Sequence, residues 1–189
     1  SWTKEAADRL WEDLMAFHDD KNQKFYLLHT VITVADEEEG SEKRLILDGQ
    51  QRTTTILALL SAFIAAVDEH DVNGSFSGQR ELIDKLLHDH YGPRLTTEHD
   101  ADKQNLAFLQ TTRARPTPER SKKVYRNYNH FLTSCFKPII EEEGAQHGLT
   151  TIYAVIASLL HDCNVTVAHF DRMLEAVIAF DTTNNRGMD

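Results

Sequence analysis

Apolar side chains recur at helical spacing over most of the chain. Leu10, Leu14 and Phe17 are three to four residues apart, which predicts an amphipathic helix over residues 4–18. Residues 53–67 carry apolar side chains around a wide face, so this segment predicts a helix at the centre of the core. The same spacing predicts further helices over residues 79–90, 97–110, 120–136, 150–161 and 171–181.

Three shorter segments have the composition of strands. Residues 25–34 and 164–168 are rich in aromatic or β-branched side chains. Residues 44–47 predict a short apolar strand that pairs antiparallel with the first. Pro138 is expected to bend or end the helix that precedes it. Together these patterns predict a helix-rich α+β fold, with a small mixed or antiparallel sheet and several packed helices.

The composition narrows the class of protein. The 189 residues include 30 acidic side chains against 20 Lys and Arg, a net charge of −10 that disfavours non-specific DNA binding. The longest apolar stretch, residues 56–67, is too short to span a bilayer, so we expect no membrane partner. Cys135 and Cys163 lack a Cys-x-x-Cys spacing and predict reduced thiols in a cytoplasmic protein. Neither end resembles a natural terminus, which predicts a single domain, residues 1–189, excised from a longer chain.

A strand-to-helix corner carries the strongest sign of a binding site. Its residues are Asp48, Gly49, Gln50, Gln51 and Arg52, here called the DGQQR corner. Gly49 allows a sharp turn or a close approach to a ligand, and the start of the following helix attracts anions. Arg52 is unexpected at the positive end of a helix dipole, where acidic side chains are favoured, so its presence there favours a bound anion.

The other polar side chains of this segment suit the same ligand. Gln50 and Gln51 offer amide donors and acceptors, Thr53 adds a hydroxyl, and Asp48 can hold a metal ion or orient a water molecule. A purely structural alternative has Asp48 capping the helix while Arg52 pairs with it on the surface. No G-x-x-x-x-G-K-[ST] motif occurs in the chain, so a nucleotide would be bound without a P-loop lysine.

Four segments together share the pattern of one known family. They are the DGQQR corner, the opening Trp2-Thr3-Lys4 with Leu10-Trp11-Glu12-Asp13-Leu14, the strand Phe25-Tyr26-Leu27-Leu28, and Phe180-Asp181-Thr182-Thr183-Asn184-Asn185-Arg186-Gly187. They resemble the signature motifs of the GmrSD-type N-terminal domains, which belong to modification-dependent restriction systems and related phage-defence proteins. The resemblance spans nearly the whole chain.

The resemblance implies a fold related to ParB and sulfiredoxin, in which a Gly-x-x-Arg at a strand-to-helix turn cradles phosphates. Gly49 and Arg52 have that spacing. It also implies a nucleoside triphosphate with Mg²⁺ as the ligand, with Asp48, Gln51 and Arg52 as catalytic candidates. Gly49, Gln50, Gln51, Arg52 and Thr53 are the expected nucleotide-binding residues of the corner. A downstream HNH-type nuclease domain or partner is implied as well, with DNA contacted through the full-length protein.

Asn184 and Arg186, at the end of the last predicted helix, form a second candidate segment. An Asn amide and an Arg guanidinium are good partners for a ribose, a base edge or a phosphate. An ordinary polar helix end, with Gly187 in the left-handed conformation, explains the same residues without a ligand. The resemblance favours a contribution to the nucleotide site, so we expect both side chains to close it.

These observations predict a domain that binds and hydrolyses a nucleoside triphosphate within a restriction or phage-defence protein. Hydrolysis would run by positioning and charge neutralisation. One alternative is a binding module that senses a nucleotide or modified DNA without hydrolysing anything. A second alternative is a helical interaction domain that has no ligand.

Overall fold

The computed structural model describes residues 4–20, 26–36, 43–90, 92–97, 99–111 and 117–185, without the side chains of residues 101 and 183–185. The predicted motif residues Trp2, Thr3, Phe25 and Gly187 lie outside this description. Two units are formed. The helical unit comprises residues 1–23 and 54–161, and the sheet unit comprises residues 24–53 and 162–189.

Helices make up most of the described residues, and strands make up most of the remaining regular structure. In chain order they are α1 (Lys4–Asp19), β1 (Tyr26–Ala35), β2 (Arg44–Asp48), α2 (Gln50–His70), α3 (Ser77–Leu87), β3 (His88–Asp89), β4 (Gly92–Pro93), α4 (Asp100–Gln110), α5 (Lys123–His130), a π-helical segment (Phe131–Phe136), α6 (Lys137–Glu143), α7 (Ala145–Asp162), β5 (Cys163–Phe170) and α8 (Met173–Asn185). The predicted helix-rich α+β fold is confirmed.

The sheet unit is built around three strands in the order β2-β1-β5. The central strand β1 pairs antiparallel with β2 and parallel with β5, so the sheet is mixed, as the sequence predicted. Helix α8 packs against all three strands. Ile32, Val34 and Ala176 are buried between α8 and the sheet, and partly buried Leu47 and Phe180 pack against them. This apolar layer fixes the sheet on which the DGQQR corner is carried.

The helical unit holds the largest buried side chains. Helix α2 is apolar around most of its circumference and is buried accordingly, as expected for a central helix. Trp11 meets Phe136 edge to face, with ring centroids 5.3 Å apart. The largest side chains with under 2% exposure are Phe63, Phe131, Phe136, Leu14, Leu59, Ile64, Ile83, Leu87, Leu109, Leu149, Ile152 and Ile156.

Pro138 does not end its helix, so that part of the expectation was wrong. The helix passes from α5 through the π-helical segment into α6, and Pro138 lies in the first turn of α6. Lys137 N–H donates to the carbonyl of Leu132, a π-type bond over five residues. The proline therefore falls where the hydrogen-bond register changes, and its missing N–H is tolerated there.

Three helices are clearly longer than the sequence predicted. Helix α2 begins at Gln50 rather than at Thr53, α7 begins at Ala145 rather than at residue 150, and α8 continues to Asn185 rather than ending at residue 181. The DGQQR corner is thus mostly the first turn of a helix. None of the helices in the described part of the chain combines the length and the apolar character needed to cross a bilayer.

Candidate functional site

The backbone turn of the DGQQR corner is formed by one residue, Gly49. Strand β2 ends at Asp48 and α2 begins at Gln50, and Gly49 joins them with a φ of +88°. Gly49 N–H donates to Oδ1 of Asp48 at 2.8 Å. The carbonyl of Gly49 accepts the first helical hydrogen bond, from Thr53 N–H at 3.0 Å. Short-range hydrogen bonds therefore fix both sides of the turn.

Gly49 also lies directly against β1. A Cβ atom added at Gly49 would be 3.0 Å from Cγ2 of Val31, 3.1 Å from the carbonyl oxygen of Thr30 and 3.3 Å from Cδ2 of His29. These distances are shorter than ordinary van der Waals contact, so a residue with a Cβ would require neighbouring atoms of β1 to move. The positive φ disfavours residues with a Cβ for a second, independent reason.

Arg52 is held over β1 by a neutral partner. Its side chain is exposed, and Nη1 donates to the carbonyl oxygen of Leu28 at 3.1 Å. Within the described ranges no carboxylate pairs with Arg52, and Asp48 binds Gly49 N–H instead. The surface ion pair of the structural alternative is therefore not formed. A carbonyl dipole orients the guanidinium but does not neutralise it, so a full positive charge stays at the start of α2.

The remaining predicted residues of the corner lie on the same turn. Gln50 and Gln51 are exposed, and Thr53 is half-buried. Nε2 of Gln50 donates to the carbonyl oxygen of Ile46, four residues earlier in the chain, in β2. All the predicted residues between Asp48 and Thr53 are thus brought together at one edge of the sheet.

The side chain of His29 lies next to the DGQQR corner, and the sequence did not predict it as a site residue. Its side chain, in β1, is only 6% exposed, and neither ring nitrogen hydrogen-bonds to a described residue. Burial lowers the pKa of His29, the charge of Arg52 lowers it further, and Asp48 acts in the opposite direction. A neutral imidazole therefore lies beneath the corner, with unsatisfied nitrogen atoms that suit a polar ligand.

The second candidate segment is only partly described. Asn184 lies in the last turn of α8, but its side chain and the whole of Arg186 are outside the described residues. Helix α8 follows β5 and packs against all three strands of the sheet. The closing of the site by Asn184 and Arg186 stays a prediction.

A possible metal-ligand cluster lies in the helical unit. Donor atoms of Asp8, His130 and Cys135 lie within 4.8 Å of one another. Nε2 of His130 and Oδ1 of Asp8 are only 2.5 Å apart, which is a direct hydrogen bond. Burial, with Asp8 and Glu12, raises the pKa of Cys135 to about 12. The contacts describe a hydrogen-bonded His–Asp pair beside a buried thiol.

Comparison with known proteins identifies the family of the chain. No curated protein matches the chain at a significant level. The family of GmrSD restriction endonuclease N-terminal domains matches residues 1–189, the whole chain. The chain therefore belongs to the GmrSD restriction endonuclease N-terminal domain family.

Proposed function

We propose that the DGQQR corner binds the phosphates of a nucleoside triphosphate. The observation that carries this proposal is the charge of Arg52. The guanidinium is exposed at the positive end of α2 and is held by a backbone carbonyl rather than by a carboxylate. An anion that arrives there meets a positive charge and the helix dipole together, without first having to break an ion pair.

The geometry of Arg52 leaves donors available for phosphate oxygens. A guanidinium has five N–H donors in a planar fork, and the described contacts use one of them, on Leu28. Each hydrogen bond to a charged group contributes about 1.5–3 kcal/mol. A bidentate contact between Arg52 and one phosphate therefore supplies enough free energy to anchor a triphosphate.

Asp48 and His29 complement this anchor. One carboxylate oxygen of Asp48 accepts the Gly49 N–H, and the other accepts no hydrogen bond from a described residue. Mg²⁺ prefers such oxygen ligands combined with substrate phosphates, so Asp48 fits Mg²⁺. When bound, the ion would neutralise phosphate charge. The neutral ring of His29 can donate to or accept from a polar part of the nucleotide.

The catalytic roles follow from the chemistry of phosphoryl transfer. Gln51, on the first turn of α2, would orient the attacking water, and Arg52 would stabilise the charge on the transferred group. In a restriction system of this family, turnover would license a nuclease domain or partner of HNH type to act on foreign DNA. The alternative is a sensor that binds nucleotide or modified DNA and hydrolyses nothing.

The binding proposal is tested by the melting temperature in the presence of MgATP and MgGTP. At about 100 times its Kd, a ligand adds about 2.7 kcal/mol of stability, which is about 5–10 °C for a chain of this length. Arg52→Ala should abolish this shift. Arg44→Ala removes the same charge from an exposed position of β2 and should retain it. Equal shifts in both variants, or none in the parent, would contradict the proposal.

Phosphate release separates hydrolysis from sensing. Parent protein that is stabilised by nucleotide and releases phosphate, with release lost in Gln51→Ala, supports an NTPase. Saturable stabilisation without release supports the sensor. Because the melting shift is read independently, failure of hydrolysis does not count against binding.

A further inference from the structure

A hollow in the helical unit is lined by several positively charged side chains, although the protein as a whole is acidic. It has a volume of about 330 Å³ and lies between the start of α1 and the outer face of α5. Its cationic lining is Lys4, Arg120 and Arg126, and polar side chains are added by Tyr125, Asn129 and Thr133. The chain as a whole carries a net charge of −10, so three cations converging on one cavity run against its general composition.

The three cations are not neutralised by neighbouring acids. In the described ranges, Lys4, Arg120 and Arg126 take part in no ion pair. The carboxylate of Glu119, next in sequence to Arg120, is engaged by Lys122 and by the hydroxyl of Ser121.

His130 also lines the hollow, and its ring hydrogen-bonds to Asp8 at 2.5 Å. Asp8 therefore contacts the histidine, and within the described residues it forms no ion pair with the three cations. Positive charge in the hollow stays uncompensated, which favours an anionic ligand.

A second hollow of the same unit shows the contrast. Its two cations, Arg80 and Lys85, are paired with Asp68 and Glu81, and His88 contacts Asp84. Its cations are therefore already matched by acids. The hollow beside α5 differs because its cations face the cavity without partners.

The helix that lines the hollow is also irregular at that point. Helix α5 changes into the π-helical segment directly after His130, and Thr133 of that segment belongs to the lining. π-helical turns are less stable than α-helical ones and occur frequently at functional sites. The irregularity thus coincides with the charged cavity.

We propose that this hollow is a second anion site, which binds a phosphate group through Arg120, Arg126 and Lys4. Two arginine forks and an ammonium group match the oxygen atoms of one phosphate. Asn129 and the hydroxyl of Tyr125 supply neutral hydrogen-bond partners. The phosphate belongs either to a small phosphate ester or to the backbone of DNA. The site is separate from the DGQQR corner in sequence and belongs to the other unit.

The test is a titration with inorganic phosphate, against potassium chloride at matched ionic strength, followed by NMR of the full chain. The side-chain amide of Asn129 and the backbone amide of Tyr125 should shift with saturation. Arg126→Ala should raise the Kd for phosphate about tenfold or more, because one charge-assisted contact is lost. Arg126→Lys should restore part of the affinity, and Arg120→Ala combined with Arg126→Ala should abolish binding.

Two control variants make the test specific. Arg9→Ala removes an exposed charge of α1 outside the hollow, and Arg52→Ala removes the anchor of the corner; both should leave the phosphate Kd at Asn129 unchanged. If Arg126→Ala does not fold, Lys4→Ala replaces it.

Competition identifies the source of the phosphate. If a short DNA duplex displaces inorganic phosphate at Asn129, the natural ligand is the DNA backbone. If a mononucleotide displaces it and the duplex does not, the natural ligand is a small phosphate ester. Absence of shifts at Asn129, an unchanged Kd in the Arg126 variant, or an equal loss in Arg9→Ala would overturn the proposal.

Discussion

Replacement of Gly49 by alanine tests the geometry of the corner. The left-handed φ of +88° costs a residue with a Cβ about 1–2 kcal/mol. The new methyl group would also lie 3.0 Å from Cγ2 of Val31 and 3.1 Å from the carbonyl oxygen of Thr30. Overpacking of this kind costs about 1–3 kcal/mol. Gly49→Ala should therefore destabilise the protein by about 2–5 kcal/mol.

Gly74 provides the matched control. It also has a positive φ, of +69°, but a Cβ there meets nothing within 4 Å. Gly74→Ala should lose only the backbone term, about 1–2 kcal/mol. The difference between the two variants isolates the close approach of the corner to β1.

The assay is urea unfolding of both variants, together with hydrogen exchange of the β1 and β2 amides. Faster exchange at Val31 and its neighbours is expected in Gly49→Ala alone, because the crowding is local. Equal free energies of unfolding for the two variants, with unchanged exchange in β1, would refute the proposed packing of the corner.

Three further outcomes are expected. Because the pKa of His29 is lowered in the folded protein, the unfolded chain binds a proton at a pH where the folded protein does not. The free energy of unfolding is therefore highest above about pH 6.5 and decreases as the pH falls below that value. His29→Leu should make the free energy of unfolding less dependent on pH between about pH 5 and pH 7. The same pH dependence in the variant and the parent would contradict a neutral, buried His29. Gly148→Ala should destabilise by about 1–3 kcal/mol, because its Cβ would lie 2.8 Å from Cα of Ile140. Gly78→Ala should be neutral or stabilising by about 0.5 kcal/mol, because a Cβ there meets open space. Equal free energies of unfolding for the Gly148 and Gly78 variants in chemical denaturation would contradict this. The pKa values of Cys135 and Cys163 are raised to about 12 and about 11, mainly by burial, so iodoacetamide should label both slowly at neutral pH until denaturant is added, as read by mass spectrometry.

Much of the fold is encoded locally and could be predicted. The strand composition of β1, β2 and β5 and the apolar faces of α1 and α2 follow from side-chain spacing alone. The parallel pairing of β1 with β5 could not be predicted in this way. It joins residues more than a hundred positions apart, and local side-chain patterns do not predict which distant strands pair with each other.

The candidate site shows the same division. The DGQQR corner is contiguous, so its turn, its glycine and its arginine are visible in the sequence. His29 is a single polar ring in an apolar strand, and its relation to the corner arises from the register in which Ile32 pairs with Asp48. Pro138 does not end its helix because it lies in the first turn of α6, directly after the π-helical segment, where its missing N–H is tolerated; side-chain spacing alone does not predict such a change of hydrogen-bond register.

The most direct measurement of phosphate binding at the corner is NMR of the Arg52 Nε–H and the Gly49 amide during titration with MgATP. We expect both resonances to shift together and to saturate at one Kd, because phosphate oxygens would approach the guanidinium and the turn amides simultaneously. Resonances of Arg52 and Gly49 that stay unmoved while nucleotide shifts other residues, or while no residue responds, would contradict the role assigned to the corner.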